Sequence, residues 1–181
     1  MIGVVSGEWD GLEGLGEEAL EEVRREGVAV VTEAADYFVG ELKTTLTGQR
    51  SGRLYRVIGG RSLAPAMIGP RVEGKPPAGP IHQASAPGEA PAVLFGALRN
   101  SIGRTEAKVV DGYLIEAEVG VGLGVRAEDN SIAENYAARL EFGGVDSRGR
   151  RILPRPYLGP TRDRVEPVIA DMFANATGSK A

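Results

Sequence analysis

Apolar side chains recur every three or four positions in the first quarter of the chain: Leu12, Leu15, Ala19, Val23, Val30, Ala34, Phe38, Leu42 and Leu46. That spacing lines one side of a helix and predicts an amphipathic helix over residues 12–47 with acids on its outer face. Residues 1–11 are expected to form an N-terminal tail. Gly27 costs about 1 kcal/mol against alanine inside a helix and predicts a bend or break. Further on, the period changes to two. Tyr113, Ile115, Ala117, Val119, Val121, Leu123 and Val125 alternate with Leu114, Glu116, Glu118, Gly120, Gly122 and Gly124. A strand with this pattern covers a core with one face and leaves its glycine face open to a neighbouring backbone. Asp111-Gly112 is a type I′ turn signal, so the expected hairpin joins residues 105–110 to residues 113–125.

Between helix and hairpin, residues 48–92 carry seven prolines and many glycines, and only 54–58 reads as a strand. Proline favours extended backbone, so this stretch is expected to be a long arm or loop that reaches a neighbour and is mobile when alone. Residues 96–102 predict a turn or two of helix. Ser131 and Glu134 have capping-box spacing before Ile132, Tyr136 and Leu140, and Gly143-Gly144 ends that helix by permitting positive φ. Residues 146–150 read as a turn and Ile152-Leu153 as a short strand. Gly159-Pro160 opens a last helix with Val165, Val168, Ile169, Met172 and Phe173 as its stripe, and Pro167 is expected to kink it or delay its start. Residues 93–177 thus hold the sheet and the later helices. The class is α+β: a small, mainly antiparallel sheet flanked by long N-terminal and C-terminal helices, in a single domain over 1–181.

Size and composition agree. A chain of 181 residues buries enough surface for a core without staples. There is no cysteine and one histidine, His82, which removes disulfides, thiol chemistry and a histidine-based zinc site from consideration. No run approaches the ~20 apolar residues of a membrane span, and residues 1–7 lack a signal-peptide pattern, so the expected site of synthesis is the cytoplasm.

The net charge of -4 hides a division. Eleven acids face two arginines between residues 8 and 41, whereas residues 50–75 and 148–164 each carry six cations against one acid. Such bipolarity suits head-to-tail association of identical chains. Catalytic and cofactor signatures are missing. Gly120, Gly122 and Gly124 lack dinucleotide-loop spacing and lie inside a strand pattern. Ser85 and Ser101 lack nucleophile-elbow surroundings. Two other readings remain open: a hydrolase using His82 and Ser85, and a free-standing nucleic-acid-binding protein drawing on the basic runs. No cofactor and no metal are expected.

Five short blocks stand out in order: Ser51-Gly52-Arg53-Leu54-Tyr55-Arg56; His82 through Ala92, with Ser85-Ala86-Pro87-Gly88-Glu89 at its centre; Gly96-Ala97-Leu98-Arg99-Asn100-Ser101-Ile102; Tyr136-Ala137-Ala138-Arg139-Leu140-Glu141-Phe142-Gly143-Gly144; and Arg155-Pro156-Tyr157-Leu158-Gly159-Pro160. Together they resemble the head–tail joining family of long-tailed bacteriophages, described as tail-completion, neck or minor tail-component proteins. The stretch between the Tyr55-Arg56 and Ser85–Glu89 blocks is longer here than is usual in that family, and Leu94-Phe95 stands where a polar residue often precedes the glycine. The resemblance implies a non-enzymatic virion protein, made in the bacterial cytoplasm, that forms a homo-oligomeric ring at the head–tail connection. Its partners would be other copies of itself and the adjacent head-connector and tail proteins, with DNA passing through unread and no membrane involved.

On this reading Arg53, Tyr55, His82, Ser85, Pro87, Gly88, Glu89, Arg99, Tyr136, Glu141, Phe142, Gly143, Arg155, Pro156 and Tyr157 are interface or structural candidates. Glu141 sits at a helix end, where the dipole disfavours a carboxylate, so an arginine partner is expected, either Arg155 or Arg99. Glu17, Glu18, Glu21 and Glu22 are candidate lumen acids, since a cationic passage would hold phosphates instead of letting them slide.

Overall fold

The structure is a computed structural model that describes residues 2–8, 16–58, 62–65, 80–93, 96–111, 114–123, 137–146 and 148–176. Its class is α+β, as the alternation and periodicity predict. The elements are β1 (Ile2–Glu8), α1 (Glu17–Thr47), β2 (Leu54–Ile58), β3 (Ser62–Pro65), β4 (Ile81–Gln83), α2 (Ala97–Ser101), β5 (Ile102–Arg104), β6 (Lys108–Asp111), β7 (Leu114–Val121), α3 (residues 137–142), β8 (Gly144–Val145), β9 (Arg151–Ile152) and α4 (Leu158–Ala176).

The main sheet is antiparallel with β7 at its centre, β1 on one side, and β5 and then β6 on the other. Ile115, Ala117, Val119 and Val121 of β7 are all buried, so the odd positions face the core as expected. α1 packs over that face, burying Val31, Ala34, Ala35, Phe38, Leu42 and Leu46. α4 lies on α1, with Val165 buried, and Ile169, Met172 and Phe173 against the same core. Thr161 and Thr45 share a 2.8 Å hydroxyl hydrogen bond, and Arg164 donates to Glu41 at 3.0 Å and to Thr45 at 2.9 Å. Arg104 on β5 holds Asp36 on α1 through two bonds of 2.6 and 2.9 Å. These bonds pull the Asp36 carboxyl below its ordinary range.

Several expectations need correction. Residues 2–8 are not a tail. They form an edge strand paired along its length with β7, from Ile2↔Gly120 to Glu8↔Leu114. Gly27 does not break α1, which runs unbroken from Glu17 with Gly27 buried on its core side. Packing of seven buried positions outweighs the local propensity cost. Leu12 and Leu15 lie outside the described residues. The first hairpin strand is interrupted. β5 and β6 both pair with β7, and between them the Thr105 hydroxyl accepts the Glu118 N–H at 2.9 Å while the Thr105 N–H donates to the Glu118 carbonyl at 2.9 Å. A side chain has taken a ladder position, and the strand splits there. Asp111 is paired with Leu114 and so belongs to the strand, not to the turn. β7 ends at Val121, short of the predicted end.

The 48–92 stretch is also more structured than an arm. β2 pairs with β3 and with β4 in a second antiparallel sheet. Residues 59–61 and 66–79, where the arm's mobility was expected, lie outside the described residues, as do Ser131, Glu134 and Tyr136. In α4, Pro167 neither delays the start nor ends the helix, and Val168 points to solvent. Gly143, at φ 76°, ends α3 as predicted, and β8 and β9 flank the 146–150 turn in a two-stranded sheet of their own.

Candidate functional site

Four of the five blocks singled out in the sequence converge at the end of the body where α1 stops and α4 begins, and the fifth, Gly96–Ile102, forms α2 and the start of β5. Two carboxylates organise this junction. The first is Glu89. The Glu89 N–H donates to the Ala86 carbonyl at 3.1 Å, closing a turn with Pro87 second and Gly88 third. Gly88 has φ 85°, the left-handed value that the third position of a type II turn requires. The Glu89 carboxylate then folds back. It accepts the Ala86 N–H at 2.8 Å, the Ser51 N–H at 3.0 Å and a short bond from the Ser51 hydroxyl. These donors, Ser51 foremost, bring its carboxyl down to about 2, and the Arg50 charge adds to the effect.

Beside this clasp, the Gly52 N–H donates to the Ala84 carbonyl and the Ala84 N–H to the Arg53 carbonyl, both at 3.0 Å. A Cβ on Gly52 would stand 2.5 Å from the Ala84 carbonyl oxygen, so only glycine fits. Arg50 turns the other way. Its Nη2 donates to the Thr45 and Leu46 carbonyls at 2.8 and 2.9 Å, and to Pro91 at 3.1 Å. A cation therefore satisfies the last carbonyls of α1, at the negative end of the helix dipole.

The second carboxylate is Glu141, 7% exposed. Its expected arginine partner is absent among the described residues. Instead it accepts the N–H groups of Tyr157 at 2.8 Å, Leu158 at 3.0 Å and Gly159 at 2.8 Å. The helix dipole that matters is that of α4, not α3. Glu141 ends α3, but its carboxylate sits at the positive start of α4, where the N–H groups of Tyr157, Leu158 and Gly159 converge on it. Arg155 serves elsewhere, donating from Nε to the Ser85 carbonyl at 3.4 Å, and Arg99 is exposed on α2. The Gly88 N–H donates to the Pro154 carbonyl at 3.0 Å. Through these bonds the Glu89 turn, the 154–157 segment and the Glu141 cap make one unit, with Tyr157 buried at its centre.

The remaining candidates are dispersed. Arg53, Tyr55 and His82 share a face of the small sheet: the Arg53 guanidinium lies 6.0 Å from the Tyr55 ring centre, and Tyr55 pairs with His82 in register. His82 also lines an open groove of about 590 Å³ with Leu46, Arg50, Gln83 and Val93. Among the described residues no hydrogen bond joins His82 to Ser85, and no group of His, Asp or Glu could hold a metal ion. Pro87 and Gly88 are exposed, Pro156 is half-buried, and Phe142 projects from the end of α3 with 74% of its surface open. Glu17, Glu18, Glu21 and Glu22 are all exposed on the first turns of α1, Glu22 with Arg25 at 3.4 Å. No helix is long and apolar enough to cross a membrane among the described residues.

Sequence reasoning missed Arg50 and the role of Ser51. Their distant partners, Pro91 for Arg50 and Glu89 for Ser51, lie 41 and 38 positions away, and nothing periodic links them. The chain matches no protein-family profile, no curated protein and no solved structure.

Proposed function

We propose that this chain is a non-enzymatic structural subunit of the head–tail connection of a long-tailed bacteriophage, assembling with its own copies into a ring through which DNA passes. One observation carries the reading. Four of the five blocks on which the resemblance rests, all but Gly96–Ile102, are joined through Glu89, Glu141 and their backbone partners into a single framework. Within those blocks Ser51, Gly52, Gly88, Glu89, Glu141 and Arg155 act as fasteners that set α1, the small sheet and α4 relative to one another. A ring subunit needs such fixed geometry, because a small angular error in each copy accumulates around the circle. Adjacent head and tail proteins are the further partners, and the virion is its place.

The test has two parts. Electron microscopy of the purified chain should show closed rings of one copy number. A phage lacking the chain should accumulate filled heads and separate tails, and supplying the chain should join them. Joined, infectious particles made without it would refute the proposal.

A further inference from the structure

The β8–β9 hairpin belongs to neither larger sheet, and an isolated two-stranded sheet is marginal in water. Its tip is nonetheless firmly built. The Asp146 carboxylate accepts the Arg148 and Arg150 N–H groups at 2.9 Å each and the Arg150 Nε at 2.7 Å, and Gly149 completes the turn at φ 75°. This rigid hairpin presents apolar side chains to solvent. Val145 pairs with Arg151, and Leu153 lies two residues further along, so all three share one face. Val145 is 59% exposed and Leu153 40%, with the Phe142 ring open at the base. Arg150 is taken up by Asp146, but among the described residues no acid pairs with Arg148 or Arg151. The surface is therefore apolar at its centre and cationic at its rim, the arrangement of a protein interface.

The same chain carries a surface of opposite sign. No residue of α1 before Gly27 is buried. The preceding turns carry half-buried Leu20 and Val23 on the line that leads to the core stripe, beside exposed Glu17, Glu18 and Glu21. Among the described residues none of these three acids is paired, and no ion pair joins the two surfaces within one copy.

We infer that the Phe142–Val145–Leu153 face of the hairpin docks onto the first turns of α1 in a second copy of this chain, with Arg148 and Arg151 meeting Glu17, Glu18 and Glu21. Nucleic acid fits less well, because a phosphate backbone would satisfy the two arginines and leave three large apolar side chains against water. The two patches differ, so the contact is head-to-tail and propagates until it closes. It also gives the α1 acids a neighbour to meet instead of a DNA passage to line. The inference deepens the ring reading and rests on it for closure of the chain of contacts.

The test is sedimentation of the full chain with paired charge reversals. One variant carries Arg148→Glu and Arg151→Glu, the other Glu17→Arg, Glu18→Arg and Glu21→Arg. All five sites are exposed, so thermal unfolding should match the unmodified chain. Each variant alone should lose self-association, and an equimolar mixture should regain it, since each copy then offers what the other lacks. Phe142→Asp alone should also abolish assembly. Rings that persist in both reversal variants, or a mixture that stays monomeric, would overturn this contact while leaving the ring reading standing. Assembly unaffected by Glu17→Gln, Glu18→Gln and Glu21→Gln would overturn it too. An unmodified chain that is monomeric at every concentration would overturn both readings. A monomeric chain whose binding to duplex DNA depends on Arg148 and Arg151 would assign the hairpin to nucleic acid instead.

Discussion

The body and the junction of this protein are held together by different physics. In the body, α1 and the main sheet meet through Val31, Phe38, Leu42, Ile115 and Val119, all buried and apolar, and the contact has no directional requirement. In the junction, two carboxylates gather backbone N–H groups from segments distant in the chain, with Glu89 reaching 38 positions back to Ser51 and Glu141 reaching 16 to 18 positions forward. Burial tolerates small shifts. A carboxylate with three N–H partners does not, because each bond demands distance and angle together. The comparison teaches that the body contributes stability through burial that tolerates shifts, while the junction contributes it through directional bonds that also set where the parts point.

The contrast can be broken most severely in the body. Leu42→Ala should cost about 3–5 kcal/mol, read as a lower denaturant midpoint with the slope unchanged, because it leaves a cavity under α1. Glu141→Ala should come next, at about 3 kcal/mol, since three N–H groups at the start of α4 lose their acceptor. A loss below about 1 kcal/mol would mean that water replaces the cap and the junction is softer than argued.

The next effect is set by pH. The folded Glu89 carboxyl stands near 2, below its ordinary 4.5. Its contribution is therefore complete above about 4.5 and fades as pH falls towards 2. Denaturant midpoints of the unmodified chain and Glu89→Gln should differ at pH 6 and converge on acidification, and a constant difference across that range would refute the clasp. Smallest is the pair joining β5 to α1. Asp36→Asn should cost less than about 1 kcal/mol, because the carboxylate is more than half exposed and water screens it.

The same contrast explains what could be read in advance. The buried face of β7 was visible because Ile115, Ala117, Val119 and Val121 alternate with polar residues and glycines, and burial follows period. The lower half of α1 was legible for the same reason, although Val31, not Val30, is the buried position. The 143–144 helix end was readable from glycine chemistry alone. β1 escaped because Ile2-Gly3-Val4-Val5-Ser6-Gly7-Glu8 has two apolar neighbours and two glycines, with no clean alternation. Its strand state comes from pairing with β7. The junction was legible as residues and illegible as bonds. Glu89 and Glu141 were singled out, yet a carboxylate's taste for N–H groups leaves no spacing signal, and the Glu141 partner was sought among arginines when it was the backbone of the next helix. Ser85 and Tyr157 are likewise singled out by the sequence, and both are buried in the junction.

The bond between Ser51 and Glu89 has a consequence for tolerance to change. It pins together the two ends of the excursion that leaves α1 and returns before α2. With its ends fixed, that excursion can lengthen at little thermodynamic cost, about 0.6 kcal/mol for each doubling. The clasp thus holds the register of α1 against α2 by its own bonds and not by the number of residues that separate Ser51 from Glu89.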